Sequence, residues 1–348
     1  MNQKIPWIRS GIFDCVSIIF PGLLSLLLLP LLDKPNMLLP VWGWVVLVLL
    51  VDVSHVYSTL FRTYLDKEEF SRNKKGYILI PLLLYGLMVT LYATGPLYFW
   101  RVLAYLAVYH FMRQQYGFFR IYSIKIDQPK VYSYLDNSTL AISMIYPMIY
   151  WHCHLPLKFN WFTKDDFIQL PLLFERIALA SYLILFCCYI AKEIYFFQRE
   201  RIPRNLLLLV TASCWYTGIV YYNGDLAFTL TNVIIHGIPY MALVYVYSEK
   251  SGTLIKRNFM KGVPTFLLII LALAFLEEGL WDALVWREHA EIFSAVFYWL
   301  REIQNPYLLA LIIPLLSLPQ VTHYILDGYI WKLRHRDQSK TAWRHILK

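Results

Sequence analysis

Charge is scarce in this chain. Lys, Arg, Asp and Glu make up 16% of its 348 residues, where a soluble domain carries nearer a quarter. Long polar stretches are missing too: none exceeds about thirty residues, so a single integral bundle fits better than separate soluble domains. Cysteine is sparse. Cys15, Cys153, Cys187, Cys188 and Cys214 form no CxxC pair, and four of them lie in apolar segments. That excludes a disulfide framework and argues against an iron–sulfur cluster or a structural zinc site; the thiols read as small hydrophobes. Fixed-period repeats and low-complexity tracts are also absent.

What the chain has is apolar sequence. Hydrophobic residues make up 58% of it, in runs of about twenty, long enough to cross a bilayer core of about 30 Å. Ten spans are predicted, at 11–32, 38–61, 77–94, 96–118, 134–151, 174–195, 205–222, 226–247, 262–280 and 305–331. The expected fold is all-α, a polytopic transmembrane helical bundle. One integral domain covers 1–331, and a basic cytoplasmic tail covers 332–348. The N-terminal run loosely resembles a signal peptide, but no small-residue cleavage site follows it, so it is expected to be a retained first helix.

The basic residues orient the spans. With the N-terminus inside, Lys4, Arg9, the loops 62–76, 113–133, 192–204 and 250–261, and the tail from Lys332 hold 25 of the 32 Lys and Arg. This bias predicts an N-in/C-in topology. It also accounts for the formal charge of +9: basic loops lie against anionic lipid, and no nucleic-acid partner is needed. The expected location is a membrane, the bacterial inner membrane above all. The outer segment 281–304 alternates aromatic and charged residues at helical spacing and is expected to form an interfacial amphipathic helix.

Four histidines fall inside predicted spans: His55, His110, His236 and His323. Ionisable groups at membrane depth are costly and usually mark a function. Each is on an even-numbered span, so all four helices run the same way. His55, His110 and His323 precede basic residues by seven to ten positions, about 10–15 Å from the cytoplasmic boundary; His236 lies deeper. Asp52 is three residues before His55, and Asp327 four after His323. Both acids can hold an imidazole nitrogen or ligate a metal themselves. Gln114 is one turn after His110, and Tyr240 one turn after His236. Tyr57, Thr59, Arg113, Gln115 and Arg120 extend the polar group. A lone membrane histidine is often only a helix–helix hydrogen-bonding residue; four in one layer favour a shared metal site. His152, His154 and His289 are expected to be solvent-facing.

Imidazole with carboxylate suits non-haem iron, with zinc or copper as other transition metals it would take. One histidine per helix is not the usual pattern of a membrane haem protein. Iron among apolar helices suits oxygen chemistry on a lipid-soluble substrate.

In HVYSTL at His55, YHFMRQQYGF at His110 and IIHGIPYMALVY at His236, the chain resembles the Brp/Blh family of bacterial membrane carotenoid dioxygenases. The resemblance implies cleavage of β-carotene to retinal by iron on transmembrane histidines. The family has a fourth histidine one turn after the third, where this chain has Tyr240. His323, in THYILDGYIWK, is the candidate for the missing ligand.

The resulting expectation is a metal-dependent membrane oxygenase or oxidoreductase acting on a carotenoid, other isoprenoid or fatty lipid. His55, His110, His236, His323, Asp52 and Asp327 are the metal candidates. Tyr240, Arg113 and Gln114 are the catalytic candidates, and Arg120, Gln115 and Tyr57 the substrate-binding ones. The competing expectation is a membrane transporter or lipid-binding protein with structural histidines; discontinuous, paired repeats would mark it.

Overall fold

The computed structural model describes residues 5–32, 37–124, 126–155, 167–253 and 259–331. Every regular element among them is a helix. The helices are α1 (Gly11–Leu32), α2 (Val41–Arg62), α3 (Lys67–Thr94), α4 (Pro96–Ser123), α5 (Lys130–Cys153), α6 (Leu172–Tyr195), α7 (Ile202–Trp215, continued by Tyr216–Tyr221), α8 (Asp225–Ser251), α9 (Phe259–Trp281, continued by Asp282–Trp286), α10 (Ala290–Phe297) and α11 (Pro306–Ile330). Seven of them, α1, α2, α3, α6, α8, α9 and α11, are long and apolar enough to cross a membrane. Such a set of helices fits an integral membrane protein, because a helix satisfies its own backbone groups in lipid. The tail 332–348 lies outside the described residues.

The chain forms two compact units, each a bundle of helices. The first contains the described residues of Met1–Pro40 and Val108–Pro239, the second those of Val41–Ala107 and Tyr240–Ile346.

In the first unit, Asp14 is fully buried and anchors the start of the chain. Its carboxylate accepts from the backbone of Ile8 (2.6 Å) and Arg9 (3.1 Å) and from the Tyr122 hydroxyl (2.9 Å). At Gly22, α1 meets α7 and α8 closely. A Cβ there would lie 2.4 Å from Val210 and 2.6 Å from Ile235, so only glycine fits this crossing without displacing them.

In the second unit, the buried guanidinium of Arg62 closes the end of α2. It lies 3.1 Å from Glu69, donates to the Ile330 carbonyl and sits over the rings of Tyr247 and Trp331. Pro81 in α3 has no N–H for the Tyr77 carbonyl four residues back; the Tyr64 hydroxyl donates to that carbonyl instead, at 2.8 Å.

The segment 281–304 differs from the expected single amphipathic helix. α9 continues through a π-helical turn to Trp286, Arg287 takes a left-handed conformation, and the short α10 folds back. Asp282 holds this return by accepting from the His289 backbone (2.7 Å) and the Tyr298 hydroxyl (2.9 Å). Phe293 and Phe297 then bury against Phe275. Apolar side chains at helical spacing have a protein surface to cover here, which is why the segment packs inward.

Candidate metal centre

His110 and His236 form a pair in the first unit. Their rings are 4.9 Å apart and nearly perpendicular, and Phe111 stacks on His236 at 3.9 Å. Both histidines are buried. The position of His236 depends on the backbone of α8. Pro239, three residues on, cannot donate to the Ile235 carbonyl. The side-chain amide of Gln115 donates to that carbonyl at 2.9 Å, and the amide of Gln114 donates to the His236 carbonyl at 2.6 Å. Thr211 in turn donates to the Gln115 side-chain oxygen (3.0 Å). So Gln114 and Gln115, read from sequence as catalytic and substrate-binding, are placed as braces on the helix that carries His236. A π-helical stretch, Thr229–Val233, precedes His236, and such turns concentrate at functional sites.

Gln115→Leu keeps the side-chain volume but leaves the Ile235 carbonyl and Thr211 without this partner. An unsatisfied buried group costs about 1–3 kcal/mol. The expected result is a lower thermal midpoint of the detergent-purified protein. An unchanged midpoint for Gln115→Leu would remove the bracing role.

His55 and His323 form the second pair, in the second unit. Their rings are 4.8 Å apart at 81°, and both are buried. Thr59, one turn after His55, has its hydroxyl 2.6 Å from His323 Nδ1 and 3.0 Å from the Tyr240 hydroxyl. Tyr240, 1% exposed, sets its ring edge against both histidines, and its hydroxyl also reaches Asp327. Asp327 therefore stands behind Tyr240. The Asp52 carboxylate lies 3.7 Å from His55 Nδ1, too long for a hydrogen bond. A ten-residue π-helical stretch, Trp44–Val53, leads into His55, as its counterpart does into His236.

One nitrogen each from His55, His110, His236 and His323 lies within 4.8 Å of the others. An imidazole nitrogen sits about 2.0–2.1 Å from a bound zinc, so tetrahedral ligands of one ion are about 3.4 Å apart and two on opposite sides about 4.2 Å. The 4.8 Å limit is wider than either, so the four nitrogens would close by about half an ångström to about 1.4 Å on binding a single ion. This donor set is all imidazole: Asp52 and Asp327 are not part of it.

The remaining predicted residues are placed as follows. Arg113 is exposed, with its guanidinium over the Tyr109 ring, and Arg120 is half-buried. The Tyr57 hydroxyl donates to Glu277. Glu277 and its neighbour Glu278 are outside the predicted set, although adjacent acids within an apolar run are a legible signal. Electrostatic interactions link them to Asp52 and Asp282. His152 is buried rather than solvent-facing, and its Nδ1 pairs with the Met148 carbonyl. His154 stacks on Tyr150 at 4.0 Å. His289, likewise expected to be solvated, is half-buried on Trp44, with ring centroids 4.0 Å apart. In each case an aromatic neighbour supplies the cover that the local sequence does not reveal.

No family model, curated protein or solved structure matches the chain.

Proposed function

We propose that the four histidines hold one transition metal, iron above all, and that the protein is a membrane oxygenase or related oxidoreductase. Its substrate would be lipid-soluble: a carotenoid, another isoprenoid or a fatty lipid. The observation that carries this reading is the mutual approach of four buried imidazole nitrogens from four different helices. Neutral imidazoles without thiolate suit iron, copper or zinc. Bound there, iron would supply one-electron and oxygen chemistry, for which a dry apolar site is suited. The ten-span, N-in/C-in arrangement belongs to the same proposal, supported by the basic residues concentrated at alternate helix ends.

The chain's own residues have separable roles in this reading. With His323 Nε2 turned to the metal, Nδ1–H donates to Thr59, and the Thr59 hydroxyl donates to Tyr240. Tyr240 passes its own hydrogen toward Asp327. This chain of donors fixes the tautomer and orientation of one ligand, a role such outer partners commonly have. Tyr240, in the place of the histidine in the family resembled, thus acts as a positioning residue. Gln114 and Gln115 hold His236 through its backbone. Phe111 covers the His236 ring and keeps water from one face.

The test is elemental analysis of protein produced with iron supplied and purified without chelator. About one transition-metal ion per chain is expected, with oxygen-dependent loss of an added carotenoid or isoprenoid. A folded, monodisperse protein with less than about a tenth of an equivalent of any transition metal would overturn the reading.

A further inference from the structure

His55 and His323 lie too deep for a soluble reductant to touch: they are 1% and 2% exposed. Electrons for one-electron chemistry beside them have to cross protein. The rings of tyrosine and tryptophan can each give up one electron, and one of each leads outward from this pair. The Tyr240 ring stands edge-on to both histidines, its centroid 5.9 Å from that of His55 and 5.1 Å from that of His323. Trp331 follows, 6.5 Å from Tyr240 and perpendicular to it. Tyr240 is buried, whereas Trp331, at the end of α11, is only half-buried. The two rings therefore span from the buried histidines to a residue that solvent reaches.

The surroundings of Tyr240 suit its oxidation. A phenol that lost an electron and kept its proton would leave a buried cation, which is costly. Its proton needs an acceptor, and the Tyr240 hydroxyl interacts with Asp327, one turn before Trp331 on α11. The Thr59 hydroxyl, 3.0 Å away, holds the phenol oxygen from another side. Phe61, Val244 and Ile270 share one buried cluster with Tyr240, which keeps water from competing for that proton. Charge near Trp331 is balanced. Arg62 lies over the indole at 5.5 Å and alone would oppose a positive charge there. Its guanidinium is paired with Glu69 at 3.1 Å, and Asp327 adds a further carboxylate.

We propose that Tyr240 and Trp331 form a one-electron relay from a soluble reductant to the metal centre; the relay rests on the metal reading above. Tyr240 gives an electron to the oxidised centre as its O–H bond breaks and the proton passes to Asp327, leaving a neutral tyrosyl radical. Trp331 returns an electron to Tyr240 as the proton comes back from Asp327, leaving an indole cation radical. A soluble one-electron donor then refills Trp331. One electron enters per cycle, and the relay neither gains nor loses a proton. Tyr240 thereby does more than orient His323.

The experiment is electron paramagnetic resonance of protein loaded with reduced iron, its metal content measured first. Hydrogen peroxide takes up two electrons, one from the iron and one from Tyr240, and two protons from solvent to give two waters. Samples are frozen at intervals. The wild type is expected to show a tyrosyl signal that narrows when the protein carries ring-deuterated tyrosine. Tyr240→Phe, which keeps the ring and its packing, should lose that signal and keep its iron. Asp327→Asn, which cannot take the proton, should lose most of it. Trp331→Phe should form the same radical, but with ascorbate as the reductant the radical should persist roughly tenfold longer, equivalent to about 1.4 kcal/mol of added barrier. Tyr245→Phe alters a buried tyrosine beside Phe266 and should change nothing. Protein that binds no metal overturns the metal reading and the relay together. Iron-loaded protein in which peroxide raises no tyrosyl radical overturns the relay alone. So does a radical that survives in Tyr240→Phe, is undiminished in Asp327→Asn, or is quenched by ascorbate as fast in Trp331→Phe as in the wild type.

Discussion

Alanine at any one of His55, His110, His236 or His323 should strip the purified protein of its metal. Loss of a residue that merely supports a ligand costs about 10–100-fold in affinity, and loss of a ligand costs more. After gel filtration each variant should therefore hold well under half the wild-type metal, while Thr59→Val, which releases only His323 Nδ1, should weaken binding by about 10–100-fold and refill at high iron. The neighbours make His323→Ala the decisive member of the series. If it keeps full metal while the other three lose theirs, the centre has three histidines, and the Thr59–Tyr240 contact is structural only. His152→Ala is the control: it is a buried histidine outside the group and should leave metal unchanged. A series in which no member of the four changes the metal content sinks the metal proposal itself.

The second large effect is expected at Arg204, which is fully buried in the first unit. Its guanidinium joins two helices by donating to Asp136 of α5 (2.7 Å) and Glu193 of α6 (2.8 Å). Lys192 pairs with the same two acids, and Asn205 donates to Glu193 at 2.7 Å. Removing one member of a buried ionic group leaves its partners uncompensated, at about 3–5 kcal/mol. Arg204→Ala should then lower unfolding stability in detergent by about that amount. Arg204→Lys should fall between, because a compact ammonium cannot present a planar fork to both acids. A loss below about 1 kcal/mol for Arg204→Ala would place the network with ordinary surface ion pairs. Neither variant touches the histidines, so protein that remains folded should carry metal as the wild type does.

Much of this was legible before any tertiary information. The helical class was, because an apolar run of about twenty residues has a helix as its ready way to satisfy its backbone in lipid; seven of the helices are long and apolar enough to cross a membrane, fewer than the ten spans expected. The four histidines stood out because ionisable residues in such runs are rare. The network at Arg204 was less legible. Its members come from three helices, and the basic residues among them served equally well as topological signals. Glu277 and Glu278 were hidden beside a segment whose helical spacing suggested an interfacial helix; only the return of α10 onto α9 shows that segment to be packed inward.

The sequence by itself determined the helical class, the apolar runs long enough to cross a membrane and the one-histidine-per-helix arrangement, since all three rest on composition and local periodicity. It could not determine what each histidine faces. Same-face arguments assume 3.6 residues per turn, whereas the stretches leading into His55 and His236 are π-helical, with a longer hydrogen-bond ring and a different phase. Asp52 accordingly stands 3.7 Å from the imidazole it was expected to hold. The convergence of the four nitrogens, the bracing of α8 by Gln114 and Gln115, and the Thr59–Tyr240 support of His323 were decided by packing. They depend on contacts between residues far apart in the chain, and no local pattern encodes them.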